Sequence, residues 1–176
     1  MALELRNHLR AEAILHPAFR VGVGSLHPKL SGMGTTLTAA LICQERVLIA
    51  HVGDSRGYFA RGGRVEQITK DQSIAGQLVA SGAMTEEQAR QTLFGHVLLQ
   101  AIGTKAKVEI ALDGIDLVRG DSLLLCSDGL SGKVAITDLA GHLAGDDLKV
   151  CGDALVALAN ERGGEDNITV VIARVS

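Results

Sequence analysis

The sequence predicts an α+β fold whose core is an antiparallel sheet flanked by helices. Strand-like runs of apolar and β-branched residues occupy residues 35–69 and 108–126, and another closes the chain at 168–175. Segments with apolar residues at helical spacing lie between these runs, at 73–93 and 138–161. Blocks of strands separated by blocks of helices are typical of α+β domains with an antiparallel sheet.

The first part of the chain predicts a helix, a loop and then four strands. Apolar residues spaced four apart among charged ones favour a short amphipathic helix over Met1–Ile14. Val21–Gly34 contains five glycines or prolines, which is typical of a loop. Four strand-like runs follow within Thr35–Thr69, and Gly62-Gly63 suits a type I′ hairpin turn, which needs positive φ at both central positions. These runs predict a four-stranded antiparallel meander.

The second part of the chain predicts helices and strands in alternation. A helix is expected over Ser73–Ser81, and Thr85 and Gln88 have the spacing of a capping box that begins a second helix reaching about Leu93. The remaining predicted elements are strands over Val108–Val118 and Ser122–Cys126, helices over Asp138–Leu143 and Leu148–Glu161, and a last strand over Ile168–Val175.

Composition narrows the class of protein. A chain of 176 residues is long enough for one domain with a sizeable core, and a net charge of −3 with 2% aromatic residues gives no surface for nucleic acid. The longest stretch without Asp, Glu, Lys or Arg, Leu30–Gln44, is too short to span a bilayer. Three widely spaced cysteines favour reduced thiols over a zinc site or disulfides. We therefore expect a cytoplasmic protein that binds neither nucleic acid nor membrane.

Three aspartates lie at the ends of predicted strands, where loops can hold side chains over a cleft. Asp71 and Asp128 each follow a strand, and Asp166 precedes one. Carboxylates that converge at one sheet edge repel one another unless a cation lies between them, and hard oxygen ligands favour Mg²⁺ or Mn²⁺ over Zn²⁺. Separate aspartates also serve as turn residues and helix caps, so their spacing alone leaves both interpretations open.

Six motifs in a fixed order resemble those of the bacterial branch of the PPM-type (type 2C) metal-dependent protein serine/threonine phosphatases. The resemblance covers about residues 32–175. The motifs are Gly32-Met33-Gly34-Thr35-Thr36, His51-Val52-Gly53-Asp54-Ser55-Arg56, Thr69-Lys70-Asp71, Ala101-Ile102-Gly103, Cys126-Ser127-Asp128-Gly129-Leu130 and Gly164-Glu165-Asp166-Asn167-Ile168-Thr169.

The resemblance implies a fold and a set of metal ligands. The family fold is an antiparallel β-sandwich flanked by helices, with a Mn²⁺ or Mg²⁺ centre at one edge. By motif, Asp128 and Asp166 correspond to ligands of the metal core, and Asp71 corresponds, together with Asp128, to a ligand of an accessory metal. The resemblance implies a structural role for Asp54 and Arg56, and no catalytic residue beyond the metal ligands.

The resemblance also implies a domain organisation. Residues 1–31 are expected to form a divergent N-terminal helix and loop, and residues 32–176 a phosphatase-like domain with a flap at about 72–104 beside the substrate cleft. Family members begin with strands that carry an Arg and an Asp-Gly-Met-Gly-Gly motif, which supplies the carboxylate bridging the two catalytic metals. Because this motif is not in the sequence, we expect the sandwich to be incomplete at its N-terminal strands.

Two functional hypotheses follow. In the first, the chain is a metal-dependent phosphatase that hydrolyses phosphoserine and phosphothreonine on phosphorylated proteins with a metal-activated water, with a cognate serine/threonine kinase as a partner. In the second, it is a catalytically inactive, phosphatase-like module that binds a phosphoprotein or a signalling partner. Retention of all three aspartates favours the first hypothesis, and the absent bridging carboxylate favours the second.

Overall fold

The computed structural model describes residues 32–90, 92, 94–95, 97–105 and 107–176. The predicted helix over Met1–Ile14 and most of the predicted loop over Val21–Gly34 lie outside these residues. The chain divides into two compact units, one formed by the described part of residues 1–53 with 99–116, and the other by residues 54–98 with 117–176. Within the described ranges, no helix has both the length and the hydropathy that crossing a membrane requires.

The first unit contains a three-stranded antiparallel sheet with the order β1-β2-β5. Its strands are β1 (Leu37–Cys43), β2 (Arg46–Val52) and β5 (Ala111–Asp116). The central strand β2 is the most apolar of the three, and every residue from Val47 to Val52 is buried. Its one buried polar side chain, His51, has its Nδ1 atom 2.9 Å from the Thr38 hydroxyl on β1, so this group is hydrogen-bonded rather than orphaned.

The second unit contains a four-stranded antiparallel sheet with the order β4-β3-β6-β7. Its strands are β3 (Arg56–Arg61), β4 (Arg64–Gln67), β6 (Ser122–Cys126) and β7 (Val170–Arg174). Its helices are α1 (Ile74–Ala80), α2 (Glu86–Arg90), α3 (Asp128–Ser131), α4 (Ile136–Leu143) and α5 (Leu148–Glu161). Two antiparallel sheets with helices confirm the predicted α+β class.

The predicted four-stranded meander is wrong, because its strands form two hairpins in two different sheets. Strand β2 pairs with β1 and β5, whereas β3 pairs with β4 and β6. The chain turns between the hairpins at Gly53, whose φ is +112° and where a Cβ would lie 2.3 Å from Cγ2 of Thr36. Only glycine fits there. Periodicity identifies a strand but not its partner, so the sequence pattern did not reveal this change of sheet.

The local turn and cap predictions are confirmed. Gly62 and Gly63 both have positive φ, +57° and +79°, as the type I′ turn requires. Thr85 Oγ1 accepts from the Gln88 amide at 3.2 Å, and Gln88 Oε1 accepts from the Thr85 amide at 2.9 Å, which is the predicted capping box. The following helix ends at Arg90, and the predicted extension to Leu93 ends on a residue that the structure does not describe.

The core of the second unit lies between its sheet and its C-terminal helices. Leu124 on β6, Leu130 on α3, Leu139 on α4 and Leu155 on α5 have at most 1% of their surface exposed. Strand β6 is thus the buried strand that its apolar run predicts, and it ends at the core beside Asp128. A rigid strand end of this kind can hold a polar side chain in a defined position.

Asp121, just before β6, is a buried carboxylate that pairs with Arg61 at the end of β3, whose side chain is 48% exposed. Arg61 donates from Nε and Nη2 to the two carboxylate oxygens at 2.8 Å and 2.6 Å, and the Val118 amide donates at 2.7 Å. These bonds hold the pKa of Asp121, which is 1% exposed, below its ordinary value of 3.8. The pair therefore contributes to stability only while Asp121 is ionised.

We expect Asp121→Asn to be destabilised at neutral pH by about 1–3 kcal/mol, because it weakens charge-assisted bonds to a buried group. The lowered pKa of Asp121 contributes its full amount to the free energy of unfolding above about pH 3.8, the ordinary pKa. This contribution is lost as the pH falls through the lower pKa that Asp121 has in the folded protein. Urea unfolding of both proteins between pH 7 and pH 2.5 checks this. Their difference should narrow below about pH 3.8, and a constant difference would refute the assignment.

Candidate functional site

A cavity of about 700 Å³ lies within the second unit. Small apolar residues of α1 and α2 line one part of it, among them Ala75, Val79 and Ala89. Charged and polar residues line much of the rest, among them Asp54, Arg56, Gln67, Lys70, Asp71, Asp128, Lys133, Glu165 and Asp166. The structure thus brings the three predicted ligands, 95 residues apart along the chain at most, to the wall of one cavity.

Asp128 is positioned by the end of β6. The buried strand ends at Cys126, Ser127 is the N-cap of α3, and Asp128 is the first residue of that short helix. One carboxylate oxygen, Oδ1, accepts from the Gly129 amide at 2.9 Å. The strand and the start of the helix therefore fix the backbone of Asp128 at the rim of the core.

Asp166 lies in the segment 163–169, which we call the Asp166 loop. The predicted end of α5 at two glycines is confirmed, since the helix ends at Glu161 and Gly163 and Gly164 have φ values of +130° and +54°. The Asp166 side chain caps its own turn, with Oδ1 accepting from the Asn167 amide at 2.7 Å. This loop returns the chain from the helix to strand β7.

The Asp166 loop is hydrogen-bonded to the segment that carries Asp128. The Ser127 hydroxyl donates to the Asn167 carbonyl and accepts from the Thr169 amide, each at 3.0 Å, and the Ser127 amide donates to the Thr169 carbonyl at 3.1 Å. The approach at Gly129 is so close that a Cβ there would lie 2.5 Å from the Asn167 carbonyl oxygen. Backbone bonds and a glycine contact therefore hold the two carboxylate segments side by side.

Asp71 forms a bidentate ion pair with Arg56. Arg56 donates from Nε to Oδ1 at 3.0 Å and from Nη2 to Oδ2 at 2.8 Å, and the Gln67 amide group donates to Oδ1 at 3.3 Å. Only 16% and 14% of the two charged side chains are exposed. Burial alone lowers the pKa of Arg56, but the bonds and charge of Asp71 outweigh it and raise that pKa. The structural role expected for Arg56 thus has Asp71 as its partner.

The residues present fit a divalent metal in part. Asp128 and Asp166 supply the hard oxygen donors that Mn²⁺ and Mg²⁺ prefer, and among the described residues neither has an ion-pair partner. Asp71 lies on the same cavity, but its oxygens are engaged by Arg56. Across the described ranges, no three His, Cys, Asp or Glu residues are grouped to hold an ion. The ligand roles of these aspartates remain predictions.

An ion pair on the cavity wall, between Lys133 and Glu165, was not predicted. Lys133, just after α3, has its Nζ 2.8 Å from Oε2 of Glu165, the neighbour of Asp166, and this pairing holds the pKa of Glu165 below its ordinary value. Glu165 lies within the motif that carries Asp166, whereas Lys133 lies three residues beyond the motif that carries Asp128. Opposite charges 32 residues apart do not show which partner each will find.

Cys126 is the one thiol near the site, and it does not suit nucleophilic chemistry. It is 5% exposed at the end of β6, and burial raises its pKa to about 12. A thiol held in its protonated form is a poor nucleophile. Cys126 is therefore not a candidate nucleophile for this cavity.

Comparison with known families gives one that matches most of the chain. The family model described as "Protein phosphatase 2C" matches residues 5–166. This match begins earlier than residue 32, where the resemblance read from the motifs begins.

Individual relatives and solved structures agree with this match. A serine/threonine phosphatase stp of Listeria monocytogenes is 41% identical over 144 residues, which are 81% of this chain and 57% of that protein. The serine/threonine phosphatase PstP/Ppp of Mycobacterium tuberculosis has a crystal structure that matches with a TM-score of 0.80 and 39% identity over 86% of this chain and 64% of that one.

A structure of the catalytic domain of PstP in complex with two manganese ions matches with a TM-score of 0.79 and 39% identity, over 87% of this chain and 64% of that one. The chain spans a little over half the length of the curated Listeria relative, 57%. These structures have the overall fold that the motifs predict for this chain.

Proposed function

The chain belongs to the protein phosphatase 2C family, and from this membership we propose that it is a metal-dependent protein serine/threonine phosphatase. Its substrates on this proposal are phosphoserine and phosphothreonine side chains of proteins. The relatives at 35–41% identity carry the names serine/threonine phosphatase or protein phosphatase, which supports the same reaction class for this chain.

One observation carries the proposal. Asp128 and Asp166, both without an ion-pair partner among the described residues, lie on adjoining segments at the wall of one cavity. Carboxylates on adjoining segments that lack a protein cation are a favourable place for a divalent metal, because a cation bound between them offsets the repulsion of their charges.

On this proposal Asp128 and Asp166 hold the metal, with Asp71 available as an accessory ligand. When bound, Mn²⁺ or Mg²⁺ activates a water for hydrolysis and neutralises charge on the phosphate. The chain's own contribution is to place the two carboxylates through Ser127 and Gly129, and to present the cationic side chain of Lys70 at the same cavity, where it favours an anionic substrate.

The proposal extends to partners and compartment. Substrates that carry phosphoserine or phosphothreonine imply a serine/threonine kinase that makes them, and we propose that this kinase acts in the same compartment. All three cysteines are free thiols, which supports a reducing compartment such as the cytoplasm. The segment 72–104, whose helices α1 and α2 line part of the cavity, is proposed as a flap that borders the substrate cleft.

Hydrolysis of a phosphothreonine peptide by the chain tests the proposal. We expect phosphate release with Mn²⁺ and no release after treatment with EDTA. Asp128→Asn should lose at least about 100-fold in rate, because replacing a group that only supports a metal ligand already costs up to that much. The physical reason is that the neutral amide of asparagine is a weaker ligand for a hard cation than the charged carboxylate of aspartate.

Asp153→Asn is the matched control, because it makes the same chemical change on the outer surface of α5, where Asp153 pairs with Lys149. It is expected to retain full activity. Equal, background-level rates in the wild type and in Asp128→Asn would contradict the proposal.

A further inference from the structure

The Asp166 loop is anchored on both sides of Asp166. On the carboxyl side, the Asn167 carbonyl is bound by the Ser127 hydroxyl at 3.0 Å and lies against Gly129. On the amino side, Glu165 is bound by Lys133 at 2.8 Å. Both anchors lead to the same segment, residues 127–133, which contains Asp128.

The backbone of Lys133 is held independently of its side chain. Its amide donates to the Leu130 carbonyl at 3.0 Å, and its carbonyl accepts from Arg162 Nη1 at 3.1 Å. Arg162 also donates to Asp138 at 2.6 Å. Removing only the Lys133 side chain therefore leaves this backbone in place and releases Glu165.

Between α5 and Asp166 the chain contains Gly163 and Gly164, both with positive φ. Glycine restricts its own backbone less than other residues do, so these two residues do not by themselves fix the direction of the following carboxylate. The amides of Gly163 and Gly164 donate to the carbonyls of Asn160 and Ala159 in α5 at 3.1 Å and 3.2 Å, but these bonds precede Glu165. The ion pair of Lys133 is the described side-chain contact that acts on Glu165, the residue before Asp166.

We infer that Lys133 is a positioning residue for the metal centre, and that its ion pair with Glu165 holds the Asp166 carboxylate beside Asp128. This inference rests on the proposed function, because it concerns the same two ligands. Lys133 does not touch the substrate or the metal on this proposal. It acts through Glu165 on the geometry of Asp166.

Positioning and simple electrostatics have opposite effects on metal binding. Lys133 carries a positive charge on the wall of the same cavity. If electrostatics alone mattered, removing this charge would strengthen the binding of a cation. Loss of positioning would instead weaken it. Because Glu165 is 77% exposed, the pair contributes little to global stability, so its effect is expected in metal affinity and not in the unfolding midpoint.

Titration calorimetry with Mn²⁺ on the full chain tests the inference. We expect Lys133→Met to weaken Mn²⁺ binding about 10-fold, the lower range for residues that orient a ligand, without a change in the urea midpoint. Lys133→Arg, which keeps the ion pair, should bind like the wild type. The charge-reversed double variant Lys133→Glu with Glu165→Lys should recover most of the affinity that Lys133→Met loses.

Lys149→Met is the matched control, because Lys149 pairs with Asp153 on α5 in an exposed ion pair outside the cavity. It should leave Mn²⁺ binding unchanged. Unchanged or tighter binding in Lys133→Met, alongside lost binding in Asp128→Asn, would overturn the positioning role alone. Absence of Mn²⁺ binding in the wild type would contradict both this role and the proposed function.

Discussion

Replacing Arg56 by methionine is expected to lower the free energy of unfolding by about 2–4 kcal/mol, or the thermal midpoint by roughly 5–15 °C. The substitution leaves the Asp71 carboxylate, 14% exposed, without the guanidinium that donates to both of its oxygens. A charge left in a largely buried site without its partner pays its desolvation cost uncompensated. Urea and thermal unfolding monitored by circular dichroism give the measurement.

The experiment also separates the structural role of Asp71 from its predicted role as a metal ligand. Asp71→Asn should be destabilised to a similar degree in the presence of EDTA, where no metal contributes. Lys149→Met breaks an ion pair whose two side chains are both exposed, and it is expected to leave the midpoint unchanged. Wild-type stability for both Arg56→Met and Asp71→Asn would show that the pair is not an anchor of this unit.

Replacing Gly129 by alanine is expected to reduce Mn²⁺-dependent hydrolysis by about 100-fold, the cost of misplacing a reacting group by about 1 Å. The added Cβ would lie 2.5 Å from the Asn167 carbonyl oxygen and 3.0 Å from its carbon. These are backbone atoms, which cannot rotate away as the end of a flexible side chain can. The Asp166 loop must therefore move away from Asp128, and overpacking of this kind costs about 1–3 kcal/mol of stability.

Steady-state kinetics and urea unfolding check the prediction for Gly129→Ala. Gly141→Ala is the matched control, because a Cβ at Gly141 in α4 has no heavy atom within 4 Å. This control should keep full activity and gain about 0.5–1 kcal/mol of stability, as glycine-to-alanine changes inside helices do. Full activity in Gly129→Ala would show that the close approach of the two segments does not set the geometry of the site.

Much of the secondary structure could be predicted because its signals are local. The helix Leu148–Glu161 has the bounds that apolar spacing and the glycines after it predict, and the capping box at Thr85 and the hairpin at Gly62 depend only on neighbouring residues. Strand ends were overestimated where pairing decides them, as in β5, which spans Ala111–Asp116 within the predicted 108–118. Register depends on a partner strand, which a local pattern does not contain.

The sequence by itself determined the class of fold, the family resemblance and the three candidate carboxylates, because motif order and strand ends are properties of the chain. Only the tertiary structure decided that β2 and β3 belong to different sheets and that Asp71 is paired with Arg56. It also decided that Lys133 reaches Glu165 and that Gly129 lies against Asn167. These last three contacts join residues that are 15 or more positions apart in the sequence. A local sequence pattern does not contain such a partner, which only the packing of the folded chain brings into reach.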